Sequence, residues 1–150
     1  MNKLLLALAF TMLMAPCAVA QSGLVSLPSK YSVAATTDKL EAAVKSEPGF
    51  QIFARIDYVA IAATQSGNVR PSQLLLFGRG NALQPLLAAA PTVAIDLPLK
   101  ALIWEDESGQ VWASYNTAEF LKERHAARGV DRVLQQITDR TASFVKKALE

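Results

Sequence analysis

Apolar residues near the end of the chain recur at helical spacing over about five turns. Between positions 130 and 149 these residues are Val130, Val133, Leu134, Ile137, Phe144, Val145 and Leu149. Such a stripe predicts a long amphipathic helix whose apolar side packs against the core.

A different period marks residues 50–56, where Phe50, Ile52, Ala54 and Ile56 alternate with other residues. Alternation of this kind predicts a strand. Asp57 is expected to cap a helix over residues 58–66 that ends at Gly67, and residues 73–77 are expected to form the next strand.

Ahead of this region, residues 21–29 are interpreted as a lead-in and residues 31–35 as a first strand. Asp38, with Glu41 three residues later, fits a capping box that begins a helix. The sequence Glu47-Pro48-Gly49 ends that helix.

After the strand at residues 73–77, the loop 78–81 precedes a helix that Asn81 is expected to cap. This helix runs to Ala90 and ends at Pro91, and residues 92–97 are expected to be extended.

Two apolar segments, residues 99–105 and 110–116, flank Asp106-Glu107-Ser108-Gly109 and predict a hairpin. A loop of four residues would place Trp104 and Trp112 on opposite faces, whereas five residues would pair them. The register stays open at this point. A helix over residues 117–125 follows the hairpin.

These elements favour the α+β class, with a curved antiparallel sheet and helices packed mainly on one face. Residues 21–150 are expected to form a single domain. The segment 99–104 is apolar at nearly every position, which indicates a strand covered on both faces. A second chain could provide that cover, so a homodimer is a hypothesis.

The N-terminus has the pattern of a signal peptide. Lys3 precedes an apolar run from Leu4 to Met14, and Ala18-Val19-Ala20 presents small residues for cleavage. We expect residues 1–20 to be removed after Ala20, which predicts a periplasmic or secreted protein with no stable membrane span. An uncleaved anchor and a lipid attached at Cys17 are the alternatives.

Composition narrows the possible chemistry. The chain has 15 basic and 13 acidic side chains, and its net charge falls from +2 to +1 when Lys3 leaves with the signal peptide. Nucleic-acid binders carry clustered positive charge, so we expect no nucleic-acid partner. Cys17 is the only cysteine, and a chain cleaved after Ala20 has no thiol for a disulfide, a nucleophile or a metal.

Four segments together resemble the bacterial family of the domain of unknown function 302. They are FARID at 53–57, QLLLFG at 73–78, PTVAIDLPL at 91–99 and GQVWASYN at 109–116. The resemblance runs from about residue 31 to residue 125. It implies an α+β domain similar to the TATA-binding-protein-like fold, and it brings no established reaction with it.

Two positions depart from the family pattern. Family members commonly have His where this chain has Tyr58, and Gly-Asn-Pro where it has Gly78-Arg79-Gly80. His125 matches a family histidine. If the two histidines act together in relatives, the resemblance implies that this chain lacks that function.

Few side chains are candidates for a site. His125 is the single histidine, and without a cysteine to assist it we expect no metal or other cofactor. Asp57 and Asp96 follow strand-like segments. The ordinary role of Asp57 is to cap the following helix, and that of Asp96 is to bond the backbone at the bend before Pro98. Arg79, beside a predicted helix N-terminus, is the most plausible contact for a carboxylate or phosphate. Tyr58 completes the candidate set for ligand binding.

No complete catalytic arrangement is visible, so we assign no catalytic residue. We expect an exported, non-enzymatic module that binds a small or apolar ligand or an envelope protein. The alternative is a hydrolase-like or isomerase-like enzyme in which Asp57, Asp96 and His125 converge. An envelope-stress or assembly factor is a third hypothesis.

Overall fold

The computed structural model describes residues 23–62 and 69–150. The expected signal peptide, Cys17 and the expected helix end at Gly67 lie outside these residues. None of the helices within the described ranges combines the length and apolar character needed to cross a membrane.

The described residues contain one antiparallel sheet whose strands are ordered β1-β5-β4-β3-β2. The strands are β1 (Leu24–Ser29), β2 (Gln51–Asp57), β3 (Ser72–Gly78), β4 (Leu99–Glu105) and β5 (Val111–Asn116). The helices are α1 (Val33–Lys45), α2 (Tyr58–Ala62), α3 (Gly80–Ala89), α4 (Ala118–His125) and α5 (Asp131–Leu149), with a 3₁₀ helix over Pro91–Ile95.

Helices α1 and α5 pack on one face of the sheet, which we call the inner face. Alternate residues of β3, β4 and β5 point toward these helices and are buried, including Leu75, Phe77 and Ile103. Phe144 of α5 meets the rings of Phe50 and Phe77 edge-on, with centroids 5.0 and 6.0 Å away. The α+β class, with its antiparallel sheet, is confirmed.

A second apolar cluster lies beside this core and is built by α3, α4, α5 and the 3₁₀ helix. Its buried members include Leu86, Val93, Leu121, Leu134 and Ile137. Since α5 contributes to both clusters, it joins the sheet to the smaller helices. The helix predicted from the apolar stripe is therefore correct in both position and role.

The strand expected at residues 31–35 is wrong. The lead-in itself contains β1, and α1 begins immediately after Ser32, whose side chain accepts a hydrogen bond from the Ala35 amide. Thr36 and Thr37, which the sequence suggests as part of a cap, already lie inside this helix and donate their hydroxyls to the carbonyls of Ser32 and Val33.

The capping box expected at Asp38 is also wrong, because α1 has already begun before that residue. Asp38 lies inside α1, and its carboxylate pairs with Arg55 of β2 at 2.6 Å. The sequence carries a signal for a helix start here, but the capping residue is Ser32, six positions before Asp38.

Two further expectations between β3 and β4 are wrong. Helix α3 begins at Gly80 with Arg79 in the capping position, so Asn81 lies within the first turn. Residues 91–95 form a 3₁₀ helix rather than an extended segment. Pro91 sits at the first turn of that helix, where its missing amide is not needed.

The hairpin register is now resolved. Trp104 pairs with Trp112 and Glu105 with Val111, which leaves five residues in the loop. Both indoles consequently lie on the face of the sheet opposite the helices, which we call the outer face. Asp106 stabilises the loop by accepting hydrogen bonds from the amides of Ser108 and Gln110 and from the indole of Trp112.

Candidate functional site

A pocket of about 160 Å³ opens between the start of α3 and one side of α5. Its walls are apolar and come from four elements or their flanks: Phe50, Leu83, Leu99, Val133 and Ile137. Its polar members are Arg79, Gln136 and Arg140. The pocket thus joins an apolar interior to two guanidinium groups.

Arg79 is positioned by the backbone around it. It occupies the capping position of α3, and its side chain lies against Gly49, where a Cβ would come within 3.0 Å of the Arg79 Nε. Gly49 also has φ of +82°, a conformation that favours glycine. The turn after α1 therefore gives the guanidinium room to lie beside the pocket.

The two arginines differ in their partners. Arg140 pairs with Glu47 at 2.9 Å, whereas Arg79 forms no ion pair with any described carboxylate. The first turn of α3 also lacks an acidic residue and has no side-chain cap. Among the described residues, neither Arg79 nor the N-terminus of α3 therefore has a carboxylate bonded to it at this side of the pocket.

Asp96 and His125 lie together at another place, on the smaller helices. The Nε2 atom of His125 is 2.6 Å from the Asp96 Oδ2, and the Thr92 hydroxyl is 3.0 Å from Nδ1. Because a carboxylate only accepts, Nε2 donates to Asp96, and a neutral ring then accepts the Thr92 proton at Nδ1. Arg124 reaches the same Asp96 oxygen at 3.2 Å.

This group, the Asp96–His125 bridge, connects the 3₁₀ helix to the end of α4. The His125 side chain is 5% exposed and that of Asp96 is 12% exposed. Each ring nitrogen of His125 already has a hydrogen-bond partner, so neither has a free lone pair or proton for another molecule. The expectation that Asp96 bonds the backbone before Pro98 is replaced by this contact between side chains.

Asp57 caps α2, as the sequence predicts. Its Oδ1 accepts hydrogen bonds from the Val59 and Ala60 amides, and its Oδ2 accepts one from the Gln73 side chain. The hydrogen bond from Gln73, followed by those from the backbone, lowers the pKa of Asp57 below its usual value.

The structure does not bring Asp57 to Asp96 and His125. Asp57 pairs with Gln73, which pairs with Ile103 near the end of β4, whereas Asp96 precedes the beginning of β4. A strand of seven residues separates the two ends by roughly 20 Å. The three groups therefore do not share one site.

Tyr58 and Arg79 also lie in different places. Tyr58 borders a shallow depression on the outer face together with Leu74 and Trp104. Arg79 lines the pocket on the helix side. Of the five described candidate residues, Asp96 and His125 are joined by a side-chain hydrogen bond, and Asp57 and Tyr58 are neighbours in the chain. Within the described ranges, no three His, Cys, Asp or Glu side chains converge as a metal site would require.

Several pocket residues were missed from the sequence. From the sequence, Val133 belongs only to the apolar stripe and Gly49 only to the end of a helix, and Arg140 has no assigned role. The pocket combines residues more than 80 positions apart, and no local pattern shows such a combination. The single local signal was the loop 78–81, which singled out Arg79.

Comparisons with known proteins place these features in a family. Two curated relatives are named "Fluoride-specific ion channel FluC 1", from Brucella suis and Brucella abortus, and each is 37% identical over 108 residues. The match covers 72% of this chain but only 42% and 40% of those two proteins. The chain thus spans less than half the length of these relatives.

A solved structure is similar in fold. The crystal structure of an uncharacterized conserved protein DUF302 from Bacillus stearothermophilus superimposes with a TM-score of 0.73, covering 83% of this chain and 97% of the other. At a sequence identity of 15%, this similarity supports the fold alone. A family model described as "Domain of unknown function DUF302" matches residues 25–146. The chain belongs to this family of domains of unknown function.

Proposed function

We propose that this protein is an exported, non-enzymatic module that binds a small apolar molecule with one negative charge. The observation that carries the proposal is the pocket of about 160 Å³, whose apolar walls end at the Arg79 guanidinium, which has no described ion-pair partner. The export part of the proposal is supported by the residues of positions 1–20.

Pocket size limits the ligand. An apolar cavity of about 150 Å³ accommodates a benzene ring, so a ring or a short branched chain fills the space between Phe50 and Ile137. A carboxylate attached to that body reaches Arg79, whose planar guanidinium can donate two hydrogen bonds to it. The ligand class is therefore a small aromatic or branched monocarboxylate.

The lining residues support binding rather than catalysis. Those described are apolar side chains, two arginines and one glutamine. Neither a carboxylate, a thiol, a hydroxyl nor an imidazole belongs to this lining, so it offers no general base or nucleophile. The hydrolase-like alternative has little support, because it requires Asp57 to meet Asp96 and His125.

Isothermal titration calorimetry of the purified protein with sodium benzoate tests the proposal. We expect saturable binding of one benzoate per chain. Benzyl alcohol, which lacks the charge, and acetate, which lacks the ring, should each bind at least about tenfold more weakly. Sodium fluoride is a further comparison anion, because the curated relatives bear the name of fluoride channels.

Variants identify the site. Arg79→Gln should weaken benzoate binding by about tenfold or more, since it removes a charged hydrogen-bond donor. Arg132→Gln removes the same charge from an exposed position of α5 outside the pocket, so its affinity should match the original protein. The proposal would be overturned if both variants lost the same affinity for benzoate, or if the original protein bound benzoate and benzyl alcohol equally well.

A further inference from the structure

The outer face of the sheet is apolar and is not covered by a described helix. By strand alternation, its apolar positions are Leu24, Pro28, Ala54, Ile56, Leu74, Leu76, Leu102, Trp104 and Trp112. Lys100 is its one charged position within the strands. Helices α1 and α5 lie on the inner face, and α2 borders only one end of the outer face through Tyr58.

Polar groups on this face bond to one another. The Ser114 hydroxyl lies 2.7 Å from that of Ser26 and accepts a hydrogen bond from the Trp104 indole at 2.9 Å. The Trp112 indole donates to Asp106 at 2.7 Å. Because these groups already have partners, covering the face with apolar surface would leave few of them without a hydrogen bond.

Charge is distributed unevenly along the strands. Lys100 lies at one end of the outer face, beside Asn116, and has no ion-pair partner among the described residues. The opposite end carries the carboxylates of Glu105, Asp106 and Glu107, against one guanidinium, Arg70. Asp96 also lies near Lys100 but is already bonded to Arg124 and His125. Within the described part of the chain, Lys100 therefore supplies an unpaired positive charge at one end, and the other end is net acidic.

We propose that the outer face binds the outer face of a second copy of this chain, with the strands of the two sheets running in opposite directions. A twofold axis that lies between the sheets and crosses the strands produces this arrangement. It places Lys100 of each copy over the acidic hairpin end of the other, while Leu102 and Trp104 meet near the middle.

The area of the face lies at the lower limit for a specific dimer, so we expect a weak one. Five strands of six or seven residues cover roughly 20 by 24 Å, or about 500 Å² on each copy. The total of about 1,000 Å² reaches the lower limit for a specific interface. The surface is therefore large enough, apolar at its centre and complementary to itself in charge.

Light scattering after size-exclusion chromatography tests the proposal on protein purified from cells that express the full chain. We expect twice the subunit mass at about 10 µM, a concentration in the range where weak interfaces associate. One subunit mass at this concentration overturns the proposal. So does a single subunit that carries bound lipid or detergent, because the face then meets a lipid surface.

Leu102→Glu locates the interface. A charge at its centre should raise the dimer dissociation constant by about 100-fold or more. Ile95→Glu is the matched control, because Ile95 is 73% exposed in the 3₁₀ helix, away from the outer face. Far-ultraviolet circular dichroism verifies folding of both variants, and dissociation of both, or of neither, contradicts the assignment.

Lys100→Glu tests the direction of the strands and keeps the proposal testable if Leu102→Glu fails to fold. It should weaken the dimer by about tenfold, because glutamate would face the acidic end of the second copy. Lys147→Glu, at an exposed position of α5, should have no effect. If Lys100→Glu lowers the dimer dissociation constant or leaves it unchanged, the arrangement with opposed strands is excluded.

Discussion

His125 is a residue type that is common in active sites, but in this protein its imidazole has a structural role. Histidine is the side chain most often used as a general acid or base, which makes it a natural catalytic candidate. In the folded protein, Thr92 and Asp96 occupy both ring nitrogens, and the ring is almost completely buried. The bridge holds the 3₁₀ helix against α4, so its contribution is expected in stability.

Replacing His125 with alanine should therefore lower the free energy of unfolding by about 1–3 kcal/mol, because the half-buried Asp96 loses its nearest partner and keeps only Arg124 among the described residues. Urea denaturation measures this change. Arg128→Ala, at an exposed position three residues later, should change stability by less than about 0.5 kcal/mol. A His125 variant as stable as the Arg128 variant would show that the bridge contributes nothing.

The ionisation of Asp106 makes the stability of the hairpin depend on pH. The hydrogen bond from Ser108, followed by that from the Trp112 indole, lowers the pKa of Asp106 to about 2. A folded-state pKa below the unfolded value means that the ionised group stabilises the fold above about pH 4, and that this contribution is lost as the pH falls toward 2.

Asp106→Asn should accordingly be less stable than the original protein at pH 6, with a difference that shrinks as the pH approaches 2. Urea denaturation at several pH values measures the difference. Glu107→Gln alters the neighbouring exposed carboxylate and should give no comparable trend. A stability difference for Asp106→Asn that is constant from pH 6 to pH 2 would contradict the assigned role.

Local sequence explains some of the candidate site. The cap made by Asp57 depends on residues two and three positions away, and the place of Arg79 at a helix start depends on its own loop. The contact of Asp96 with His125 spans 29 positions. Residue type alone cannot reveal such a contact, because tertiary packing brings the two groups together.

Among helices and strands, those with long periodic patterns were predictable. Helix α5, strand β2 and the hairpin of β4 and β5 each repeat a pattern over several residues, and the sequence located all three. Strand β1 and the start of α1 were not located, because Ser32, Thr36 and Thr37 favour both caps and strands. Thr36 and Thr37 are fully buried in the folded helix, whereas the capping Ser32 is exposed.

The true start of α1 can be tested at Ser32. Its side chain caps the Ala35 amide, so Ser32→Ala should reduce stability by about 1 kcal/mol. Asp38→Ala removes an exposed pair with Arg55 and should cost less than about 0.5 kcal/mol. Chemical denaturation of the two variants gives the comparison, and the reverse ranking would place the helix start at Asp38.

For the protein as a whole, the sheet separates two apolar surfaces. The pocket lies on the helix side, with Arg79 and Val133 among its lining. The outer face is on the opposite side of the sheet. A ligand in the pocket therefore does not compete with a second copy on the outer face. We expect Arg79→Gln to leave the subunit mass in solution unchanged.

A nuclear magnetic resonance titration tests the binding proposal most directly. Benzoate is added to the ¹⁵N-labelled protein, and the backbone amide shifts are followed residue by residue. We predict saturable shifts at the start of α3, at Leu99 and along α5 between Val133 and Arg140, with Leu102 and Trp104 unaffected. Shifts centred on the outer face, or none at saturating benzoate, would contradict the proposed pocket.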